Sequence, residues 1–362
     1  MKNMIRRRPV KKLVVESAIV KENISAIKRK ADSATIIADL SCDAQGLGIL
    51  KTAALLRAEG ISNFAVYEVE DAEKLRAGGF VDEHILMLRS TVDVGEIGRL
   101  ADNNVACTIG SYDAGIAANS VAISRSTVIE VQIKVNCGVG QYGFQPTEID
   151  KITNIFRQMP GLVVSGMYTR FSGPAAGKAV AARQLESFEK VLLKLHESGI
   201  ETGMAHALDS YGLFKCELDK LDAVCVGSAI AGRTPGVGTD ELKPAGYIEA
   251  EIEEIDWLPA GSVVGAGKGV RLRKSTKVAV VAVGWYNGVG LGEANGRRSL
   301  KRLIKGESKP TVKLDGKKVK LIGDIGANSM LIDVTDAACC VGDCVTIECR
   351  PQFVKGIPVE YR

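Results

Sequence analysis

No stretch of about 18 uncharged apolar residues occurs in the chain, and its first residues carry no apolar segment long enough for a secretory signal. No Cys-x-x-Cys pair occurs, which argues against a zinc ribbon. The nine cysteines are odd in number and lie mostly inside apolar runs, as reduced thiols do. We therefore predict a cytoplasmic protein with neither a membrane partner nor a disulfide framework.

The chain also lacks a strong excess of either charge. Its net charge is +4, and 25% of its residues are charged, which is ordinary for a globular protein. Because such a chain has no polyelectrolyte character, nucleic acid is not a predicted partner. A length of 362 residues is enough for a large core and for about two domains.

What the chain does contain is a regular alternation of apolar, strand-like runs with helical patterns. Parallel strands need crossover helices, so eight such runs predict an α/β fold, a closed parallel (β/α)8 barrel of the TIM type. From residue 245 onward, short alternating runs and glycines predict a mainly β domain. We assign residues 1–244 to the barrel and 245–362 to the β domain. A further short strand is predicted at 12–16, and the eight barrel strands at 36–40, 64–67, 84–88, 106–109, 128–134, 162–169, 204–208 and 221–226.

A doubly wound open sheet is a second fold that is compatible with this alternation. Gly138, Gly140 and Gly143 form a Gly-x-Gly-x-x-Gly directly after a predicted strand, where a nucleotide loop would lie. No helix starts inside this loop, however. A turn that needs glycine backbone angles explains the motif better, so we favour the closed barrel.

Polar residues follow the first predicted barrel strand. In such barrels the residues at the carboxyl ends of strands face the active site, so Asp39, Ser41, Cys42 and Asp43 are candidate site residues. Asp39 and Asp43 could form a carboxylate pair, with Asp43 as a catalytic group. Alternatively, Asp43 caps the helix that follows.

Four motifs in the same order resemble those of the alanine racemases. They are residues 134–144, 206–210, 283–288 and the pair 332–336 with 341–343. The resemblance implies the barrel and β domain already predicted. It also implies pyridoxal phosphate on a lysine of the first barrel strand, two catalytic bases, and a head-to-tail homodimer in which each barrel mouth is closed by the partner's β domain.

The same alignment shows where this chain departs from the family. The cofactor lysine falls at Ser41, and a serine cannot form the family's covalent link to pyridoxal phosphate. We therefore expect no covalently held cofactor and no racemisation by the family's two bases. The other departures are Trp285 at the catalytic tyrosine, Cys225 at the arginine facing the cofactor ring, Gln141 at the arginine supporting that tyrosine, and residues 327–328 at a substrate-contacting pair.

Part of the family's phosphate site survives. Ser210 matches a phosphate-contacting serine, and Gly227 and Ser228 fall where backbone amides hold the same group. A phosphorylated ligand, or less favourably non-covalent pyridoxal phosphate, could bind there, although these residues also suit a plain turn. Asp209 places a negative charge nearby, which opposes an anion.

The remaining candidates come from the other strand ends. Cys42 and Cys137 could act as bases once their pKa is lowered, or could ligate a soft metal, although we expect no metal site. Tyr286, one residue past the lost tyrosine, could replace it only if the segment shifts. Four further residues are candidate ligand contacts: Lys134, Asn136, Arg170 and His206. Of these, Lys134 and Arg170 could instead neutralise the aspartates, and His206 could be a core residue.

Three functions are compatible with these residues. The favoured one is a divergent protein that binds a small amino-acid-like or phosphorylated metabolite at the barrel mouth and catalyses a different proton transfer. The second is a non-catalytic scaffold or regulatory homologue. The third is an amino-acid racemase with a relocated base.

Overall fold

The computed structural model describes residues 10–234, 240–265, 267, 269–291 and 310–362. The chain divides into two compact units. One is Ala18–Pro244, and the other combines Ala245–Arg362 with the described residues before Ala18. The opening strand, β1 (Lys11–Val15), pairs only with strands of the second unit among the described residues. Our assignment of residues 1–244 to the barrel was therefore wrong for this strand, because its partners lie far away in sequence.

Eight parallel strands close into a barrel, which confirms the predicted fold and excludes the open sheet. The last strand pairs back with the first, and Ile37 lies opposite Cys225 in that pairing. The strands are β2 (Thr35–Asp39), β3 (Asn63–Val66), β4 (His84–Ser90), β5 (Ala106–Ile109), β6 (Ile129–Lys134), β7 (Leu162–Tyr168), β8 (Met204–Leu208) and β9 (Ala223–Val226).

Helices connect these strands because their apolar residues recur at helical spacing. In the longest helix, Leu185, Phe188, Val191 and Leu195 are all buried on one face. The helices are α1 (Ser17–Ala31), α3 (Ile49–Ala58), α4 (Val69–Ala77), α5 (Val94–Asp102), α6 (Tyr112–Ser124), α7 (Ile149–Gln158), α8 (Lys178–Glu197) and α9 (Ser210–Lys215), with a 3₁₀ turn at Pro174–Ala176. The short element α2 (Ser41–Gln45) is a left-handed turn and not a regular α-helix.

The interior of the barrel is a packed core. Side chains from several strands fill it, as expected for a barrel of eight strands. Tyr168 is the largest of them and is fully buried. The polar site therefore lies at the carboxyl ends of the strands, where this packing stops. The core side chains are Ile37, Ala65, Leu86, Leu88, Ala106, Tyr168, Ala223 and Cys225.

The second unit is an antiparallel sheet with one parallel pair. β1 lies between β10 and β18, and β10 is long enough to pair with β1 and β17 along its first half and with β13 along its second. A separate two-stranded ribbon joins β11 to β12. The strands are β10 (Gly246–Leu258), β11 (Val263–Val264), β12 (Val270–Arg271), β13 (Thr276–Val281), β14 (Val312–Leu314), β15 (Lys317–Ile322), β16 (Met330–Asp333), β17 (Cys344–Glu348) and β18 (Val359–Tyr361), with 3₁₀ turns at Trp285–Asn287 and Pro351–Phe353.

Among the described helices, none combines the length and the apolar character that crossing a bilayer requires.

Candidate functional site

A three-residue hydrogen-bond network lies at the carboxyl end of the barrel. Asp39 ends β2, and its Oδ1 accepts from the Ser41 amide at 3.1 Å and from Ser41 Oγ at 2.5 Å. Its Oδ2 accepts from Arg170 Nη2 at 2.8 Å. Burial opposes the charge of Arg170, but the Asp39 carboxylate outweighs burial and raises the pKa of the guanidinium. Arg170 thus neutralises Asp39, one of the two roles predicted for it.

Gly227 is needed beside this network. A Cβ atom at this position would lie 2.9 Å from the Asp39 carbonyl oxygen, closer than packed atoms allow. Only glycine lets the loop after β9 approach the end of β2 so closely.

Lys134, the last residue of β6, is a second cation at the same end of the barrel. Its side chain faces the barrel interior, and the residue is only 7% exposed. Its Nζ lies 5.4 Å from the ring centre of Tyr142 and 5.7 Å from that of Tyr168. Burial and the nearby Arg170 charge lower the pKa of Lys134 to about 8. Within the described part of the chain, no carboxylate pairs with this amine.

His206 is buried in the wall of the barrel beside these groups. Its ring stacks on that of Tyr168 with centroids 4.8 Å apart, and its Nε2 lies 3.0 Å from Gln132 Oε1. Burial and the Arg170 charge lower the pKa of His206 to about 3, so the imidazole is neutral at pH 7. A neutral ring that donates to Gln132 is a positioned core residue, the alternative role given to it above.

The segment after Ser41 has an unusual backbone. Residues 42–45 all lie in the left-handed region, with φ between 54° and 59°, and none of them is glycine. A left-handed conformation costs about 1–2 kcal/mol for each non-glycine residue. Backbone strain of this kind collects at functional sites, so the turn marks the strand end that carries the network.

Asp43, in the middle of this turn, caps a helix. Its Oδ1 accepts from the Ile49 amide at the start of α3 at 2.9 Å and lies 3.4 Å from Lys74 Nζ. Its side chain is half exposed. The geometry therefore gives Asp43 a structural role, and it does not pair with Asp39 as a site carboxylate.

Replacing Asp43 with alanine is expected to lower the free energy of unfolding by about 1 kcal/mol, the usual loss for a helix cap. Asp43→Asn keeps the acceptor oxygen and should lose much less. Thermal unfolding of both variants measures the difference. Both variants should keep any ligand response of the wild type. Loss of that response in Asp43→Asn would show that Asp43 belongs to the binding site.

The loop that resembles the family's phosphate site is satisfied internally. Ser210 Oγ accepts from the Gly227 amide at 3.2 Å and from the Ala229 amide at 3.1 Å. The Asp209 carboxylate caps α9 by accepting from the Gly212 amide at 2.8 Å. Ser228, inside the same loop, accepts from the Arg233 amide through its carbonyl oxygen. These residues therefore hold one another in a turn.

The candidate thiols lack the environment that a base requires. Burial and the nearby carboxylates of Asp39, Asp71 and Glu68 raise the pKa of Cys42, and burial raises that of Cys137. Neither cysteine therefore has the lowered pKa on which the base hypothesis depended. Among the described residues, no group of three or more potential ligands is placed to hold a metal ion.

Asn136 and Tyr286 are the two remaining candidates. Asn136 closes the loop after β6, because its Oδ1 accepts from the Gly140 amide at 2.9 Å. Tyr286 belongs to the second unit and lies on the 3₁₀ turn Trp285–Asn287. Trp285 and Tyr286 are both at least half exposed on this unit.

Two tyrosines near the site were not predicted. Tyr142 contacts Lys134 as described above, and its hydroxyl is hydrogen-bonded to that of Tyr67. Burial and this hydrogen bond raise the pKa of Tyr67 to about 12. The signal that could have found Tyr142 is its place in the glycine loop between Gly140 and Gly143, because such a loop returns the chain toward the strand end.

The fold and the site together are those of an α/β-barrel protein with a polar site at the strand ends. A closed parallel barrel carries a charged, partly buried network at the carboxyl ends of its strands, where α/β barrels have their active sites, and the chain also contains a separate β unit.

Comparison with known proteins then gives the family. The model of the alanine racemase N-terminal domain matches residues 15–235, and that of the alanine racemase C-terminal domain matches residues 246–360. This chain belongs to the alanine racemase family. The alanine racemase of Chlorobaculum tepidum is 24% identical over 309 residues, covering 84% of this chain and 77% of that protein. The alanine racemase of Clostridium tetani is 28% identical over 273 residues, covering 74% and 70%.

Solved structures agree on the fold. Alanine racemase from a D-cycloserine-producing Streptomyces lavendulae superposes with a TM-score of 0.85 at 18% identity, covering 99% of this chain and 98% of that one. Alanine racemase from E. faecalis gives a TM-score of 0.80 at 21% identity and covers both chains fully, at 100% each. At such low identity, these likenesses establish the architecture alone.

Pyridoxal phosphate, the cofactor that the family implies, does not match the residues at its expected contacts. Ser41 stands at the lysine position and donates to Asp39. The amides of Gly227 and Ala229 already donate to Ser210. The guanidinium next to Cys225, at 3.7 Å from its sulfur, comes from Arg170 and is paired with Asp39.

Proposed function

We propose that this chain is a divergent family member that binds a small, amino-acid-like carboxylate at the carboxyl end of the barrel. The observation that carries the proposal is the charge balance of the site. Asp39 and Arg170 neutralise each other, which leaves Lys134 as a buried cation without a counter-charge among the described residues. A buried charge is costly unless it is paired, and a bound carboxylate would supply the partner.

Arg170 can also contribute to such a ligand. Its Nη2 is used by Asp39, whereas no described residue is hydrogen-bonded to its Nε or Nη1. About a third of its side chain is exposed. Guanidinium N–H groups in this arrangement suit a planar carboxylate, so Lys134 and Arg170 together form the proposed binding pair.

A carboxylate fits this site better than a phosphate. The Gly227 amide, one of the two expected at a phosphate cradle, already donates to Ser210. The Asp209 charge, at the start of α9, also opposes a phosphate. The proposal therefore does not include a phosphorylated ligand, nor pyridoxal phosphate held either covalently or non-covalently. It also excludes racemisation by the family's two bases, because Ser41 and Trp285 stand at their positions. We further propose a cytoplasmic, head-to-tail homodimer, as the family resemblance implies.

The test is thermal unfolding of the purified full chain with D-alanine, L-alanine, pyruvate, lactate and inorganic phosphate, each titrated separately. A ligand of the folded state stabilises it by about 2.7 kcal/mol at a hundred times its dissociation constant. We expect a saturable rise of the melting temperature with at least one carboxylate and none with phosphate. The rise should be lost in Lys134→Met and kept in Asp43→Asn, the matched control on the neighbouring turn.

Two results would favour the other functions. No response to any carboxylate would support the scaffold, in which the barrel serves only as a surface. Incorporation of solvent deuterium at the α carbon of alanine, measured by NMR with and without added pyridoxal phosphate, would support a racemase with a relocated base. The proposal expects no such exchange under either condition.

A further inference from the structure

Three features of Lys134 make its charged form costly when no ligand is bound. It is more than nine-tenths buried, its Nζ is hydrogen-bonded to no described residue, and the aromatic rings of Tyr142 and Tyr168 flank it. The Arg170 guanidinium adds to this cost, because its charge repels an ammonium group.

The same surroundings favour the neutral amine. Burial and the Arg170 charge lower the pKa of Lys134 to about 8, so about a tenth of the amine is unprotonated at pH 7 and about half at pH 8. A neutral amine carries the free electron pair that attacks a carbonyl carbon.

We propose that Lys134 forms a reversible imine with the carbonyl carbon of a small 2-oxo acid whose carboxylate is bound by Arg170. This inference rests on the carboxylate site proposed above and narrows its ligand. The α-ammonium group of an amino acid would be repelled by the Arg170 charge, and also by Lys134 whenever that amine is protonated. A 2-oxo acid presents the same carboxylate without that repulsion, and it places an electrophilic carbon next to the carboxylate carbon.

The step balances without a further reactant. The amine electron pair of Lys134 forms the carbon–nitrogen bond, and the carbonyl π pair moves to oxygen. The oxygen takes up a proton from solvent while the nitrogen releases one. The resulting carbinolamine loses the nitrogen proton and the hydroxyl group as one molecule of water. A carbon–nitrogen double bond remains, nothing is oxidised or reduced, and hydrolysis reverses the step.

The experiment traps the imine in the full chain. The protein is incubated with pyruvate at pH 8, reduced with sodium borohydride, digested and mapped by mass spectrometry for lysines carrying a carboxyethyl group. We expect modification at Lys134 to exceed that at any exposed lysine by about tenfold or more, since more of this amine is neutral at that pH. Lactate, which has no carbonyl group, should give no adduct.

Two variants complete the design. Lys134→Arg keeps the positive charge but cannot form the imine, so the site-specific adduct should disappear. Lys190→Arg changes an exposed lysine of α8 that pairs with Glu186, and it should leave trapping at Lys134 unchanged. Circular dichroism checks that both variants are folded.

The outcomes separate the two proposals. A specific adduct at Lys134 supports both of them. A pyruvate-dependent rise of the melting temperature without an adduct overturns the imine and leaves the carboxylate site standing. Adducts spread evenly over surface lysines also overturn the imine. The absence of both an adduct and any ligand stabilisation overturns both proposals.

Discussion

Replacing Lys134 with methionine is expected to raise the free energy of unfolding at pH 7 by about 3 kcal/mol, because it removes a charge that the folded barrel does not compensate. The pKa of Lys134 is about 8 in the fold, against 10.5 for an ordinary lysine. The unfolded chain therefore binds the proton more tightly, and protonation favours unfolding. Methionine has a similar length, so it should fill the space between Tyr142 and Tyr168 without leaving a cavity.

The stability gained by Lys134→Met depends on pH. The cost of the lysine is fully present below about pH 8, falls between pH 8 and 10.5, and vanishes above 10.5, where the amine is neutral in both states. Urea titrations followed by circular dichroism at pH 7 and at pH 10 should show the advantage of Lys134→Met shrinking. An advantage that is equal at both pH values would trace to packing instead of charge. A destabilised variant would show that another group pairs with the amine in the folded protein.

Removing Asp39 is expected to have the opposite effect. Asp39→Ala should lower the free energy of unfolding by about 3 kcal/mol, at the lower end of what breaking a buried ion pair costs, because the Arg170 side chain keeps some contact with water. The variant leaves Arg170 and Lys134 as two adjacent cations without a counter-charge. It also removes the acceptor of the Ser41 amide and hydroxyl.

A double-mutant cycle tests whether the loss belongs to the pair. Arg170→Met alone should also destabilise, since it strands the Asp39 carboxylate. The double variant Asp39→Ala with Arg170→Met should lose less than the sum of the two single changes. Asp39→Asn is the matched control, because it keeps the size of the side chain and one acceptor oxygen. If the two single losses simply add, Asp39 and Arg170 do not stabilise the barrel as a pair.

The sequence was sufficient to predict the barrel, because its strands are short apolar runs separated by helices of regular spacing. The predicted run 106–109 is β5 itself, and 204–208 is β8. The place of β1 could not be predicted in the same way. Its local pattern is that of any half-buried strand, whereas its partners, β10 and β18, are fixed only by the folded sheet.

The sequence predicted which residues form the candidate site, but not which of them pair with one another. Asp39, Lys134 and Arg170 were all chosen from their positions at strand ends. Their pairing depends on which side chain reaches across the barrel, and Asp39 and Arg170 are 131 residues apart in the chain. The left-handed turn over residues 42–45 was also beyond sequence reasoning, because cysteine, aspartate, alanine and glutamine give no signal for positive φ angles.

The position of β1 has a consequence for how the protein is made. β1 and β10 are neighbouring antiparallel strands, joined by a bond from the Glu16 amide to the Ala245 carbonyl oxygen, so the whole barrel is inserted where a hairpin would have its turn. β18, near the end of the chain, is attached to the described sheet only through β1. On the ribosome, the barrel can therefore fold before either partner strand of β1 has been synthesised. The sheet is completed only after β18 has been synthesised.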